Sequence, residues 1–270
     1  MIIFKSFNKL NKKVNFKANI GFVPTMGALH DGHISLIKRS NSICKKTLVS
    51  IFINPSQFNK KNDYKKYPRK IETDIKILKK LKVDYLLIPK VSEVYKNKNN
   101  MKVRLIKKDK VLCAKYRPGH FEGVLAVINQ FLTLIKPKYM FLGQKDYQQL
   151  HLIKNFIKNK FKTKVFSCPT IRDNNKVALS SRNILLNIND MKKSSNIALL
   201  LLKFRNKLKK NIIYKNNLIN IATKINSIKN IKIEYLEIRN KNNLTKNFNR
   251  NNFKIFIAYY NKKIRLIDNF

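Results

Sequence analysis

Glycine is scarce in this chain of 270 residues, which contains only six glycines and no tryptophan. Average usage of about 7% would place roughly 19 glycines in a chain of this length. Because glycine adopts left-handed and crowded backbone conformations without strain, the few that remain should mark positions that other residues occupy poorly. Five of the six lie in short loop-like segments, and three of the four histidines lie beside them. Those segments are therefore the strongest candidates for functional loops.

Cysteine is also rare, and its three copies lie far apart, at Cys44, Cys113 and Cys168. An odd number without metal-ligand spacing argues against a disulfide framework and against a metal site built by the chain itself. Long apolar runs are absent, since none approaches the roughly 18 residues of a membrane span. The first residues also lack the apolar segment of a signal peptide. We therefore expect a soluble, cytoplasmic protein without a membrane partner.

Acidic residues number 14 against 59 lysines and arginines, which gives a net charge of +45. Such a charge can indicate nucleic-acid binding. Here lysine is spread along the whole chain, and it accompanies abundant asparagine and isoleucine, the other residues of A/T-rich codons. We interpret the charge as compositional bias on solvated positions. Loose binding to polyanions at low salt is expected, but no specific nucleic-acid partner.

Apolar runs rich in β-forming residues alternate with segments of helical spacing in the first part of the chain. The runs lie near 19–23, 47–53, 84–88, 138–142 and 164–167, and the helical segments near 33–45, 71–82, 121–135 and 146–159. Alternation of strand and helix predicts a parallel sheet covered on both faces. We predict an α/β fold with a Rossmann-like N-terminal domain at residues 1–172.

The pattern changes beyond this domain. Two helices are predicted near 189–209 and 215–227, and alternating apolar residues follow at 231–238, 255–259 and 264–267. Strict alternation is typical of antiparallel strands with one exposed face. We predict a smaller α+β domain at residues 173–270.

The segment Pro24–His33 reads PTMGALHDGH and follows the apolar run at 21–23. Helical spacing begins within it, so His30 and His33 are predicted at a helix N-terminus. Free N–H groups and a partial positive charge at such a terminus favour an anion. Two imidazoles three residues apart can face that anion together. The segment therefore predicts a site for a phosphorylated ligand.

Two further polar loops, Asn54–Phe58 and Gly143–Asp146, also follow apolar runs of the predicted sheet. In parallel sheets, ligands bind at the carboxyl ends of strands, near the point where the strand order reverses. We therefore expect both loops to belong to the same site as Pro24–Gly32.

Several motifs resemble, in the same order along the chain, those of the pantothenate synthetase (pantoate–β-alanine ligase) family of H-x-G-H nucleotidyltransferases. Besides H-x-G-H at 30–33, they are FINPSQF at 52–58, YPR at 67–69, RPGHFEGV at 117–124, FLGQKDYQQL at 141–150, SSRN at 180–183, YLE at 235–237 and LIDN at 266–269. A bare H-x-G-H is weak evidence, but the ordered matches cover nearly the whole chain and are jointly specific.

The resemblance implies a ligase that uses ATP in two steps. The carboxylate of pantoate attacks the α-phosphate of ATP, which gives pantoyl adenylate and pyrophosphate. The amine of β-alanine then attacks the acyl carbon, which releases pantothenate and AMP. Because the adenylate supplies the leaving group, catalysis should rest on positioning and charge stabilisation. The resemblance also implies Mg²⁺ that arrives with ATP, and a homodimer.

The resemblance assigns roles to particular residues. It implies that His33 is the proton donor and that His30, Lys145 and Arg182 also act on the phosphates. Gln57 and Gln149 are implied to bind pantoate, and Gln57 also β-alanine, since neutral amides bind hydroxyl and carboxylate groups without a strong counter-charge. The set implied for ATP is Met26, Gly27, Ala28, Leu29, His30, Asp31, Gly32, His33, Gly143, Gln144, Lys145, Asp146, Ile171, Leu179, Ser180, Ser181 and Arg182.

Other polar residues receive weaker interpretations. His120 is expected to order the loop at 117–123 rather than take part in chemistry, and His151 is interpreted as an ordinary helix residue. Asp74 is a candidate outer-shell partner of Mg²⁺ but is not assigned to the site.

The chain departs from the family pattern at two positions. Leu179 replaces the usual methionine before SSR, a change that conserves volume. Lys176 stands where many members have a turn glycine. We expect the left-handed residue of this turn to shift to Asn174 or Asn175.

Two other functions are considered. A different H-x-G-H nucleotidyltransferase would not need the loops that carry Gln57 and Gln149. A nonenzymatic RNA-binding protein would show clustered basic and aromatic residues and would not need Gly27, Gly32 or Gly143.

Overall fold

The computed structural model describes residues 1–16, 19–59, 61–96, 103–210 and 215–270. The chain divides into two compact units. The first contains Met1–Lys110, Ala114–Gln144 and Gln149–Pro169, and the second Val111–Cys113, Lys145–Gln148 and Thr170–Phe270. The domain boundary predicted between residues 172 and 173 stays a prediction.

Within the described residues, the first unit is built on a six-stranded sheet in which all the strand pairs are parallel. The strands are β1 (Ile2–Phe4), β2 (Ile20–Thr25), β3 (Lys46–Ile51), β4 (Tyr85–Leu87), β5 (Tyr139–Gly143) and β6 (Lys164–Cys168), in the order β1-β4-β3-β2-β5-β6. The predicted α/β fold with a parallel sheet is confirmed. The short strand β1 was not among the predicted strands.

The α-helices follow in chain order. They are α1 (Phe7–Lys13), α2 (Asp31–Ile43), α3 (Lys61–Lys66), α4 (Ile71–Lys80), α5 (Val91–Val94), α6 (Cys113–Tyr116), α7 (His120–Ile135), α8 (Tyr147–Ile157), α9 (Ile188–Lys210) and α10 (Lys215–Asn226). In the part of the chain that the structure describes, no helix is both long and apolar enough to cross a membrane.

Helix α7 is anchored in the core of the first unit by Phe131, which is 2% exposed. The ring centroid of Phe131 lies 5.5 Å from that of Phe7, 5.8 Å from Phe22 and 5.9 Å from Phe52. Aromatic contacts at these distances add to the free energy of burial. This packing anchors the C-terminal half of α7 against Phe7, Phe22 and Phe52.

The strand order reverses beside β2, whose neighbours are β3 and β5. The chain moves outward from β2 through β3 to β4 and then returns to β5 on the other side. The crevice outside the carboxyl ends of β2 and β5 is therefore the switch point at which such sheets bind ligands.

The second unit contains an antiparallel sheet of β7 (Ile231–Asn240), β8 (Phe253–Asn261) and β9 (Ile264–Asn269). Helix α9 buries Leu201 and Phe204 in a core that also contains Ile255 and Ile257 of β8. This arrangement confirms the predicted smaller α+β region.

The expectation that the turn at 173–176 would shift its left-handed residue was wrong. Lys176 itself has φ +68°, whereas neither Asn174 nor Asn175 has a positive φ. The turn is closed by Lys176 N–H donating to Asp173 O at 3.0 Å and by Asp173 N–H donating to Val177 O at 2.9 Å. Because these bonds fix the turn geometry, lysine adopts the conformation that glycine would take with less strain.

Candidate active site

The loop between β2 and α2 is shaped by its own hydrogen bonds. The Thr25 hydroxyl donates to Ser50 O at 2.8 Å and accepts from Gly27 N–H at 3.2 Å. Gly27 has φ +78° and Ala28 φ +49°. A Cβ on Gly27 would lie 3.0 Å from Asp74 Oδ2 and 3.1 Å from Ile51 Cγ2. Glycine is required here for both its conformation and its small size.

Asp74 of α4 forms hydrogen bonds to the backbone of this loop. Its Oδ2 accepts from Ala28 N–H at 2.8 Å, and its Oδ1 accepts from Leu29 N–H at 2.8 Å. The residue is only 1% exposed. Burial raises the pKa of Asp74 above its usual range, and the two main-chain donors oppose that shift. Both carboxylate oxygens of Asp74 therefore bind backbone N–H groups, and the residue holds the β2–α2 loop in position.

His30 and His33 form a reciprocal cap at the start of α2. His30 Nδ1 accepts from Gly32 N–H at 3.1 Å, and His33 Nδ1 accepts from His30 N–H at 3.4 Å. The two ring centroids are 4.2 Å apart. Because each Nδ1 is an acceptor, the proton of each neutral ring is on Nε2. Each ring thus has its N–H donor at Nε2, and the pair lies at a helix N-terminus, where anions are favoured.

Gln57 ends a 3-10 turn, Pro55–Gln57, that follows β3. Its side-chain Nε2 donates to Met26 Sδ, so the turn contacts the β2–α2 loop. Its Oε1 accepts from Asn54 Nδ2 at 3.2 Å. Asn54 is 1% exposed and also accepts hydrogen bonds from Ser56 and from the Tyr95 hydroxyl. The amide of Gln57 is thus held by the buried Asn54 side chain and by Met26.

The RPGHFEGV segment at 117–124 forms hydrogen bonds to the same 3-10 turn. Gln57 O accepts from Arg117 Nη2 at 3.1 Å and from His120 Nδ1 at 2.6 Å. Arg117 Nη1 also lies 3.1 Å from His120 Nε2. Arginine is only a donor, so Nε2 is the acceptor and the neutral His120 ring carries its proton on Nδ1. His120 therefore contacts the Gln57 turn as well as Arg117 of the loop that it was expected to order.

Gly123 of α7 makes this close approach possible. A Cβ at Gly123 would lie 2.8 Å from Ser56 O and 2.6 Å from Ser56 Oγ. The Gly123 carbonyl also accepts from Asn54 Nδ2 at 3.1 Å. A larger residue would push the 3-10 turn away from α7.

Gly143 ends β5, beside β2, where the parallel sheet reverses its order, and Gln144 follows it. Gln144 Nε2 donates to Ser167 Oγ at 3.1 Å. Gln149 lies on α8 and is half-buried.

In the second unit, Lys145 and Asp146 complete the 3-10 turn Gln144–Asp146 that precedes α8. Both side chains are half-buried. The main-chain carbonyl of Lys145 accepts from Asn269 Nδ2 at 2.8 Å.

The remaining residues predicted to bind ATP lie on one hairpin of the second unit. Leu179 N–H donates to Ile171 O at 3.0 Å, which brings these two residues together. Arg182 N–H donates to Ser180 Oγ at 3.2 Å, so the serine caps the SSRN turn. Ser181 is buried and Arg182 is half-buried. The bridge between Arg172 and Ala178 sets the register of this hairpin.

Sequence reasoning missed the supporting contacts of three residues, Asn54, Asp74 and Asn269, although Asp74 was considered as an outer-shell partner of Mg²⁺. One signal was available for Asp74, because acidic residues number only 14 in this chain and Asp74 lies within an amphipathic helix. Asn54 combines local contacts to Ser56 and Gln57 with distant ones to Tyr95 and Gly123. The bond from Asn269 to Lys145 spans 124 residues and gave no local signal.

A parallel sheet whose switch point carries a glycine- and histidine-bearing loop at a helix N-terminus is typical of α/β nucleotide-binding enzymes. A sequence profile of the family described as pantoate-beta-alanine ligase matches residues 3–270. The chain belongs to this family.

Individual relatives agree with this assignment. A pantothenate synthetase of Francisella tularensis subsp. mediasiatica (strain FSC147) is 40% identical over 268 residues, which span 98% of this chain and 94% of the relative. The crystal structure of a pantoate-beta-alanine ligase from Francisella tularensis, complexed with beta-gamma ATP and beta-alanine, is 38% identical with a TM-score of 0.85, over 100% of this chain and 97% of that one. A pantothenate synthetase structure from Thermus thermophilus is 30% identical with a TM-score of 0.92, over 100% of this chain and 99% of that one.

Proposed function

We propose that this chain condenses pantoate with β-alanine by way of pantoyl adenylate. A carboxylate oxygen of pantoate attacks the α-phosphorus of ATP, and the bond to the bridging oxygen breaks to release pyrophosphate. The amine of β-alanine then attacks the acyl carbon, loses a proton and displaces AMP. The observation that carries the proposal is the reciprocal His30–His33 cap, which places two imidazoles together at a helix N-terminus.

The two histidines suit the first step. Negative charge moves onto the leaving pyrophosphate, and preorganised N–H donors stabilise it without reorganisation. His33 is the proton donor in this proposal, and His30 acts beside it. The backbone of Met26, Gly27, Ala28 and Leu29, with Asp31 and Gly32 in the first turn of α2, lines the nucleotide in the same proposal.

Gln57 and Gln149 are the proposed pantoate ligands, and Gln57 also contacts β-alanine. A neutral amide orients the carboxylate of pantoate and leaves its nucleophilicity intact, whereas a cation would reduce it. The contacts of Asn54 and Met26 hold the Gln57 amide in one orientation, so little rotamer freedom is lost when the substrate binds.

Further residues complete the proposed set for ATP. Lys145 and Arg182 supply positive charge to the phosphate oxygens, and Ser180 and Ser181 supply hydroxyl donors. Asp146 binds the ribose, while Gly143, Gln144, Ile171 and Leu179 contact the nucleotide.

Mg²⁺ belongs to this proposal as part of the substrate, carried by the ATP phosphates and water. Among the described residues, no group of three or more histidine, cysteine, aspartate or glutamate side chains is placed to hold a metal ion. Asp74 uses both oxygens on the loop backbone, so we do not assign it to the ion. The proposal also includes a homodimer that works in the cytoplasm.

The decisive experiment is exchange of labelled pyrophosphate into ATP. We expect exchange with pantoate alone, and formation of pantothenate and AMP only after β-alanine is added. The variant His33→Ala should lose exchange, whereas His151→Ala, a matched change on α8, should retain it. Absence of exchange with pantoate would refute the proposal. Exchange that needs a different acid would indicate another H-x-G-H nucleotidyltransferase.

A further inference from the structure

We propose that Asn269 is a positioning residue for Lys145, through a hydrogen bond to the Lys145 main-chain carbonyl and a brace formed with Lys254. The proposal rests on the proposed role of Lys145 toward ATP. It extends the site to a residue of β9 that touches no substrate itself.

The side-chain amide of Asn269 is used at both ends. Its Nδ2 donates to Lys145 O at 2.8 Å, and its Oδ1 accepts from Lys254 Nζ at 2.7 Å. Asn269 is 3% exposed, so these partners replace water. An ammonium can only donate and a carbonyl can only accept, so the two partners fix the orientation of the amide.

The backbone of Asn269 is held as firmly as its side chain. Its N–H donates to Asp268 Oδ1 at 2.7 Å, and its carbonyl accepts from Arg172 Nη2 at 3.1 Å. Arg172 also forms a two-pronged ion pair with Asp268, at 2.7 and 2.9 Å. Paired charges with this geometry are the strongest hydrogen bonds that a protein forms. The backbone of Asn269 is therefore held in place by Asp268 and Arg172.

Lys254 links Asn269 to Tyr147, the residue two positions after Lys145. Its Nζ lies 5.0 Å from the ring centroid of Tyr147, which packs against Phe256 at 5.9 Å between centroids. The Tyr147 hydroxyl donates to Lys241 O at 3.0 Å. Burial lowers the pKa of Lys254 to about 8, and the nearby Arg205 guanidinium acts in the same direction. The antiparallel sheet therefore contacts Lys145 and Tyr147, the residues on either side of Asp146.

This arrangement has a consequence for Lys145. A lysine side chain is long and carries about 2 kcal/mol of rotamer entropy, so its reach depends on where its backbone is placed. The Asn269 bond fixes the peptide plane that follows the Lys145 Cα. Loss of the Asn269–Lys145 hydrogen bond lets this peptide plane rotate, which shifts the starting point of the Lys145 side chain.

A double-mutant cycle on the full-length chain tests the proposal, with binding of the α,β-methylene analogue of MgATP measured by calorimetry. Lys145→Met keeps the length of the arm and removes its charge, and ATP keeps its other proposed ligands. Asn269→Asp keeps the acceptor for Lys254 and removes the donor to Lys145 O. We expect it to weaken analogue binding about two- to tenfold, the loss of one hydrogen bond. In the Lys145→Met background the same change should have no further effect.

Asn240→Asp is the matched control. Asn240 is also buried in this sheet, and its Nδ2 donates to the Asn247 main-chain carbonyl at 3.0 Å. It should lower the melting temperature as Asn269→Asp does, without weakening analogue binding. If Asn269→Asp does not fold, Asn269→Ala replaces it, since alanine removes the donor without adding charge.

The outcomes separate the two proposals. Wild-type protein that does not bind the analogue refutes the proposed function, and this inference with it. Wild-type binding that Asn269→Asp leaves unchanged overturns the positioning role alone. Weakening of equal size in the wild-type and Lys145→Met backgrounds overturns it too, because a merely structural effect would be independent of Lys145.

Discussion

Asp74 and Leu29 are joined by a hydrogen bond of 2.8 Å between a buried carboxylate and a main-chain N–H, and the second oxygen of Asp74 makes an equal bond to Ala28. The two N–H groups belong to a loop whose residues Gly27 and Ala28 have positive φ angles. Consecutive left-handed residues are costly, so the loop needs an external tie. Asp74 supplies that tie from a helix 45 residues away in sequence.

We predict that Asp74→Asn destabilises the protein by about 1–3 kcal/mol and weakens ATP binding. The amide retains one acceptor and turns a donor toward the second N–H, so one buried backbone group loses its partner. Chemical denaturation and calorimetry with ATP measure the two effects. Asp84→Asn is the control, since Asp84 also accepts a main-chain N–H, from Thr47 at 2.9 Å, at a more exposed site. Equal losses of ATP affinity in the two variants would contradict the prediction.

The protonation of His120 gives a second prediction. Its contacts with Gln57 O and Arg117 require a neutral ring protonated on Nδ1. Nitrogen-15 NMR of the imidazole should show this tautomer, in contrast to the Nε2–H tautomers expected for His30 and His33.

Removal of the same ring should affect one substrate more than the other. We expect His120→Ala to raise the KM for pantoate about tenfold, because Gln57 O loses a buried donor and the turn loosens. The KM for ATP should change little. The His151→Ala variant provides the baseline, and equal increases in both KM values would argue for general loss of structure instead.

Much of the fold was predictable because the information is local. Strands β2, β3 and β5 are short segments rich in apolar residues, and α7 is a longer and mostly apolar segment, so each can be recognised within a short window. Strand β1 was missed because it has three residues and only Phe4 is buried. The histidine loop was predictable for a different reason, since two of the six glycines in the chain lie in it.

The supports of the site could not be predicted in the same way. Asp74 reaches Leu29 across 45 residues, and Asn269 reaches Lys145 across 124. Such contacts are created by the packing of whole elements and leave no pattern in a short window. The left-handed Lys176 was mispredicted for a related reason: local propensity favours asparagine, but the hydrogen bonds of the turn determine which residue has the positive φ.

Lys176 yields a stability prediction. A left-handed conformation costs a residue with a side chain about 1–2 kcal/mol, and glycine removes this cost. Glycine also increases the conformational entropy of the unfolded chain, which offsets part of the gain in stability. We expect Lys176→Gly to stabilise the protein by about 0.5–1 kcal/mol. Asn174→Gly, at a neighbouring position without positive φ, should destabilise it. Thermal melts compare the two, and a lower melting temperature for Lys176→Gly would show that the turn is not strained.

Lys254 gives the prediction for pH. Its pKa falls from 10.5 in the unfolded chain to about 8 in the folded protein, chiefly because the ammonium is buried. Between these values the unfolded state binds a proton that the folded state does not, so the free energy of unfolding rises with pH. Below pH 8 both states are protonated and the cost of burying the charge is fully present.

The Lys254→Met variant isolates this contribution, because it lacks the titrating group and every other ionisable side chain is retained. Wild-type stability should increase relative to the variant between pH 8 and 10.5, by at most about 3 kcal/mol. Denaturant unfolding of both proteins at several pH values across this range measures the difference. A difference that stays constant, or that falls as the pH rises, would mean that the Lys254 ammonium is not stripped of water in the folded protein.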